Sequence, residues 1–227
     1  MSSILSNESA FVTRADDLQE SQLGDPVSHG IPRWADAIVA VMVLAVAAPV
    51  IGVLALIIAL TSGAPVFFRQ RRVGRGFRPF VMIKLRTMNS TNGGPKVTPR
   101  GDQRVTKFGR FLRKTKLDEL PTFWNVLRGD MALVGPRPEV PEYVNSNNPL
   151  WRTVLSVRPG LTDPVTILLR NEEELLGRAH DDTERFYLAE LQPAKLRGYI
   201  SYLEARTLRS DISVLARTVT EIIRGAI

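Results

Sequence analysis

At 227 residues with 44% apolar side chains, the chain is long enough for one ordinary domain with appendages and a core of usual size. It contains no cysteine, which excludes disulfides, thiolate-held metals and sulfur nucleophiles, so covalent chemistry must run through oxygen or nitrogen. A net charge of +7 points to an anionic partner: nucleic acid, a phosphate-bearing substrate or an anionic membrane leaflet.

Residues 1–31 are polar, without sustained apolar periodicity, and read as a mobile N-terminal arm rather than a signal peptide. Residues 32–62 read as a membrane anchor. From Trp34 to Leu60 the only charge is Asp36, at the start. A straight helix of that length is roughly 40 Å long, more than the roughly 30 Å hydrocarbon layer needs. Pro49 near the middle removes a backbone donor and crowds the preceding turn, so a kink or break is expected there. Arg69, Arg71, Arg72, Arg75 and Arg78 follow closely and keep that end cytoplasmic. Charge alone fits a full span and a re-entrant helix with both ends cytoplasmic equally well.

Residues 63–227 read as one cytoplasmic domain. Two short runs, Val66–Arg69 and Phe80–Lys84, flank a basic loop with Gly74 and Gly76 and predict a β-hairpin. Lys84 and Arg86, taken singly, read as solvated strand ends. Residues 89–104 are rich in Asn, Thr, Gly and Pro and predict a loop of the kind that forms lids. Val105, Phe108, Phe111 and Leu112 share one face of a basic helix, which suits either a membrane interface or a core contact. Asp118-Glu119-Leu120-Pro121 opens a second helical stretch closed by Gly129. Val165–Leu169 is a short apolar run, and Glu172, Glu173 and Glu174 read as a solvated helix start. Helical spacing returns at Leu196, Tyr199, Ile200 and Leu203, and again at Ile212, Leu215, Val219 and Ile222.

The chemistry concentrates at Asp118 and Glu119, which lie in sequence among Arg113, Lys114, Lys116, Arg128 and Arg137. Carboxylates in that company are expected to be depressed in pKa and ionised, able to hold Mg²⁺ or to attack phosphorus, while the cations neutralise phosphoryl oxygens. Prolines on both sides of Arg137 restrict its backbone, as a bidentate phosphate clamp requires. The bland alternative is a surface acidic pair salt-bridged to its neighbours. There is no P-loop, no DxD motif, and His29 and His180 are too isolated for a metal triad or a Ser-His pair. Few aromatics and the apolar segment argue against a nucleic-acid partner.

Together, FFRQRRVGRGFRPFVMIKLRTM, VTKFGRFLRKTKLDELPTFWNVLRGDMALVGPRPE, VRPGLT and YISYLEARTLRSDISVLARTV resemble the bacterial sugar transferases, the monotopic polyprenyl-phosphate phosphoglycosyl transferases. The resemblance covers about residues 32–223. It implies an α+β, mainly helical membrane-associated fold with a short β-hairpin, a proline-broken re-entrant helix and interfacial amphipathic helices. It also implies transfer of a sugar-1-phosphate from a UDP-sugar to undecaprenyl phosphate at the cytoplasmic face of the bacterial inner membrane, with Mg²⁺ and release of UMP. On the family pattern Asp118 is the nucleophile and Glu119 the paired acid associated with the metal. Lys84, Arg113, Arg137 and Arg170 fall where the family binds phosphate or nucleotide sugar. The chain departs from the pattern after Gly160, where Leu161-Thr162-Asp163-Pro164 replaces a Gly-rich segment, which puts sugar selectivity in question. At the anchor, Ala48-Pro49 replaces a frequent Ser-Pro. Without the additional spans of larger relatives, the chain reads as the minimal catalytic form. Membrane lipids are implied partners and a homo-oligomer stays open. The competing reading is a non-catalytic basic membrane scaffold for a polysaccharide assembly complex.

Overall fold

The computed structural model describes residues 30–89, 96–169, 171–177 and 182–226. The expected N-terminal arm therefore lies outside the described residues, save its last two positions.

The first element, α1 (Arg33–Ser62), is a single 30-residue helix, and it is the one helix among the described residues long and apolar enough to cross a membrane. Its helical assignment runs through Pro49 without a gap, so the expected break is not an interruption of the helix. Its buried residues, Asp36, Ala40, Ala47, Leu54 and Ile58, follow steps of four and seven and so form one stripe. The other faces are apolar and outward: Trp34, Val46 and Leu60 are 68%, 79% and 78% exposed. Apolar exposure on this scale is a surface for lipid or for another protein.

Both ends of α1 are tied to the body. Arg33 donates to the carbonyl of Leu127. Asp36, fully buried, accepts the Leu133 N–H at 3.2 Å and pairs with Arg158 at 3.0 Å. At the far end Arg86 donates to the carbonyls of Ser62 and Gly63, satisfying orphan groups of the helix terminus. Arg86 is thus a buried cap on α1, not the solvated strand end expected from sequence.

The hairpin forms as expected but longer. Strand β1 (Phe67–Val73) pairs antiparallel with β2 (Pro79–Leu85), in register from Phe67↔Leu85 to Val73↔Pro79. Gly76, at φ 62, occupies the left-handed turn position that a glycine accepts freely. Helix α2 (Lys107–Thr115) is capped by Thr106, whose hydroxyl accepts the Gly109 N–H at 2.8 Å. A Cβ on Gly109 would stand 2.0 Å from the Thr87 carbonyl, so glycine alone lets α2 approach the chain leaving β2. Lys116, left-handed at φ 57, ends α2 and turns the chain into a 3₁₀ segment, Leu117–Thr122, which continues as α3 (Phe123–Arg128).

Beyond Gly129, β3 (Ala132–Val134) pairs in parallel with β4 (Gly160–Thr162), with α4 (Pro149–Val154) between them. The apolar run after β4 is helix α5 (Pro164–Leu168), followed by α6 (Glu172–Gly177). Helix α7 (Thr183–Phe186) passes through a π-turn into α8 (Gln192–Glu204), and α9 (Leu208–Ala226) completes the domain. The main core joins Ala40 of α1, Met82 of β2, Val126 of α3, Val134 of β3, Leu203 of α8 and Val214 of α9. The expected α9 stripe splits: Leu215 packs on that core, whereas Ile212 and Val219 join Leu208 and Ile223 on an exposed apolar face. The fold is α+β and mainly helical.

Candidate active site

The site is built on β2, the 3₁₀ segment and the strand of backbone after β3. Among the described residues its sheet has two strands, so β2 keeps one edge without a strand partner there. Two side chains from the helical stretch fill that edge. Asn125 donates to the Val81 carbonyl at 2.7 Å and accepts the Ile83 N–H at 3.1 Å, and the Thr122 hydroxyl donates to the Ile83 carbonyl at 2.9 Å. Neither residue stood out in the sequence; the available signal was a polar Asn and Thr inside an otherwise apolar turn. They fix β2 against the segment that carries the acids, so that the next residue, Lys84, meets Glu119.

Lys84 Nζ lies 2.8 Å from Glu119 Oε1, and Arg137 Nη2 lies 2.7 Å from the same oxygen. These contacts bring three of the expected site residues together from β2, the 3₁₀ segment and the Pro-flanked turn. Asp118, 7% exposed, is beside them, and its Oδ1 has no hydrogen-bond partner among the described residues. Asp118 is therefore buried and Glu119 half-buried, so the two are not a solvated surface pair, and they are unlike. Lys84 is likewise no solvated strand end.

Electrostatics separates the two acids. Burial, with the Glu119 charge beside it, pushes Asp118 up to about 6 against the opposing pull of Lys84 and Lys116. Burial would also raise Glu119, but Arg137 and Lys84 together outweigh it and hold the carboxyl well below its usual range. The depressed pKa expected for Asp118 is thus corrected: desolvation and a like charge win there, and the cations win only at Glu119. Burial lowers Lys84 to about 8 despite the Glu119 carboxylate. At neutral pH Asp118 remains mostly ionised, as a nucleophile requires.

These groups line a cleft of about 2800 Å³ that Arg113 and Glu173 also border. Arg113 is not gathered onto the acidic pair; it bonds Glu173 instead. Its lining also includes apolar residues, among them Val39 and Val43 of α1 and Val219 and Ile222 of α9. Arg170 lies outside the described residues. Among those residues no group of three or more His, Asp or Glu forms a metal cage. Mg²⁺ commonly takes only one or two protein carboxylates plus substrate phosphate oxygens, and Asp118 together with Glu119, whose two cations share Oε1, could meet that lighter demand.

The model of the bacterial sugar transferase family matches residues 27–225. The chain is 38% identical over 197 residues to a UDP-glucose:undecaprenyl-phosphate glucose-1-phosphate transferase of Caulobacter vibrioides, covering 84% of this chain and 69% of the relative. It is 34% identical over 221 residues to a UDP-N-acetylgalactosamine-undecaprenyl-phosphate N-acetylgalactosaminephosphotransferase of Aeromonas hydrophila, covering 93% of this chain and 49% of the relative. A UDP-glucose:undecaprenyl-phosphate glucose-1-phosphate transferase of Escherichia coli is 39% identical over 145 residues, 60% of this chain and 30% of that protein. The chain thus spans about two thirds of the first relative and less than half of the other two. With a family model over nearly the whole chain and a buried acid–base cluster at its centre, the protein belongs to the bacterial sugar transferase family and is an enzyme of the transferase class.

Proposed function

We propose that the enzyme transfers a sugar-1-phosphate from a UDP-sugar to undecaprenyl phosphate and releases UMP, as the initiating step of exopolysaccharide, O-antigen or related glycan assembly. The observation that carries this reading is the asymmetry of the acidic pair. Glu119 is held by two cations, while Asp118 keeps a buried oxygen without a partner. That oxygen attacks the β-phosphorus of the UDP-sugar, the bond from phosphorus to the bridging oxygen breaks, and UMP leaves with the electron pair. An oxygen of undecaprenyl phosphate then attacks the same phosphorus and displaces Asp118, which regenerates the carboxylate. Lys84 and Arg137, already converged on Glu119, offset the charge that gathers on the phosphoryl oxygens. Asp118 and Glu119 would hold Mg²⁺; the ion, when bound, neutralises phosphate charge.

The acceptor explains the anchor and the mixed lining of the cleft, whose basic residues suit phosphate and whose apolar residues suit a prenyl chain. The anchor has both ends at one membrane face, and the support for this is the pair of tethers. A helix that crossed the bilayer would carry Asp36 and Ser62 to opposite membrane faces, yet Arg158 and Arg86 of one body hold both ends. With Arg69, Arg71 and Arg72 just beyond, that body sits on the cytoplasmic face of the inner membrane, and the exposed apolar face of α9 lies along the lipid surface. A scaffold would have no reason to bury Asp118 and Glu119.

UMP release from a panel of UDP-sugars, with undecaprenyl phosphate and Mg²⁺, tests the reading. One or a few sugars should give UMP in an acceptor-dependent, steady-state reaction; no release with any sugar rejects it.

A further inference from the structure

The acidic run that begins α6 crosses the same cleft. It is the largely exposed helix start expected from sequence, and it also places three successive carboxylates on cations of three different segments. Glu172 pairs with Lys195 of α8 at 3.1 Å, Glu174 with Arg100 at 3.1 Å, and Glu173 with Arg113 of α2, through Nε at 3.1 Å and through Nη2. The Arg100 N–H adds a bond to the Glu173 carbonyl at 2.7 Å. Of the three, Glu173 meets an arginine that stands five residues before Asp118 and shares its cleft wall. One carboxylate oxygen, Oε1, accepts from both Nε and Nη2 of the guanidinium and so occupies the edge with which arginine also takes phosphate. Glu173 is itself 52% exposed, so charge and not burial holds it in place.

We propose that Glu173 stands in for substrate phosphate on Arg113 and that the diphosphate of the nucleotide sugar must displace it to bind. The proposal rests on the proposed transfer reaction and on a phosphate role for Arg113, which the family pattern implies and which its place in the cleft with Asp118 supports. The exchange swaps one anion for another on a single cation and breaks no covalent bond. Because the diphosphate carries more charge than one carboxylate, it wins the fork, and Glu173 turns to solvent. The wild-type cleft therefore binds nucleotide diphosphates more weakly than its cations alone would allow, and Glu173 sets a threshold against weakly charged ligands. A merely structural Glu173, one that aims Arg113 at the substrate, would act in the opposite direction.

Titration calorimetry with UDP on the full chain in detergent tests this without turnover. Glu173→Gln should bind UDP about two- to five-fold more tightly than wild type, the range of an exposed ion pair. In an Arg113→Ala background the same substitution should change nothing. Glu172→Gln, whose partner is Lys195, should not tighten binding. Unchanged or weaker UDP binding in Glu173→Gln overturns the proposal, as does equal tightening in the Arg113→Ala background. UMP release, measured separately, reports on the transferase reading; there Glu173→Gln should lower KM for the UDP-sugar and leave kcat unchanged.

Discussion

Lys84 Nζ stands 2.8 Å from Glu119 Oε1, a contact across 35 residues of sequence, and this pairing makes two adjacent carboxylates chemically different. Glu119 becomes a permanently ionised partner of two cations. Its neighbour Asp118 is buried, has no hydrogen-bond partner at Oδ1 among the described residues, and carries the nucleophile's role in the proposed reaction.

The pH profile of UMP release should show both groups. Asp118 must be ionised to attack, so activity falls as pH drops through about 6, the value set by its burial and the Glu119 charge. Lys84 must be protonated to offset phosphate charge, so activity falls again as pH rises through about 8, where burial has placed it. In Lys84→Met the upper limb should disappear. The lower limb should move to higher pH, because Lys84 is one of the charges that hold Asp118 down. An unchanged profile in that variant would contradict the assignment.

Arg137 offers a fork between two prolines and bonds Glu119 at 2.7 Å. Arg137→Ala should lower kcat by about 100-fold or more, the usual effect of losing one preorganised donor to a phosphoryl oxygen. Arg137→Lys keeps the charge but not the bidentate geometry, so it should recover only part of the rate. Steady-state kinetics on detergent-purified protein checks both.

The edge of β2 is a structural prediction of its own. Thr122→Val keeps the side-chain shape and removes the hydroxyl bond to the Ile83 carbonyl, at an expected cost of about 1 kcal/mol. Asn125→Ala strips Val81 and Ile83 of their partners together and should cost more, about 1–3 kcal/mol, with a fall in kcat because Lys84 loses its support. Denaturant midpoints and kcat for the two variants should rank in that order.

The absence of cysteine makes anchor topology directly measurable. Single cysteines at Ser28, before α1, and at Ser146, in the body, should both be shielded from a membrane-impermeant maleimide added to intact spheroplasts, and both should react after lysis. Labelling of Ser28→Cys alone in intact spheroplasts would mean that α1 spans the bilayer.

The sequence carried the local features well. The anchor announces itself by composition, the hairpin by its Gly-punctuated basic turn, and the Asp118–Glu119 segment by its charges. Long-range pairing was not legible. Lys84 and Arg86 look like ordinary strand-end cations because their partners, Glu119 and the carbonyls of Ser62 and Gly63, come from other elements. Glu173 is exposed as expected, but its pairing was hidden for the same reason, with Arg113 60 residues away. Charge pattern also misjudged Asp118: nearby Arg and Lys in sequence predict a lowered pKa, but burial beside a second carboxylate decides the sign. Asn125 escaped notice because its function, completing a strand edge, exists only once the hairpin is docked.

The proposed transfer passes through a covalent phosphosugar on Asp118. Incubating the enzyme with a UDP-sugar substrate labelled on the β-phosphate, without undecaprenyl phosphate, and then mapping the label by peptide mass spectrometry tests it directly. The account predicts about one equivalent of UMP released in a burst, label on the peptide containing Asp118, its discharge on adding undecaprenyl phosphate, and a loss of at least about 1,000-fold in Asp118→Asn. No label and no burst from an enzyme that still turns over with acceptor, or near wild-type UMP release by Asp118→Asn, would contradict it.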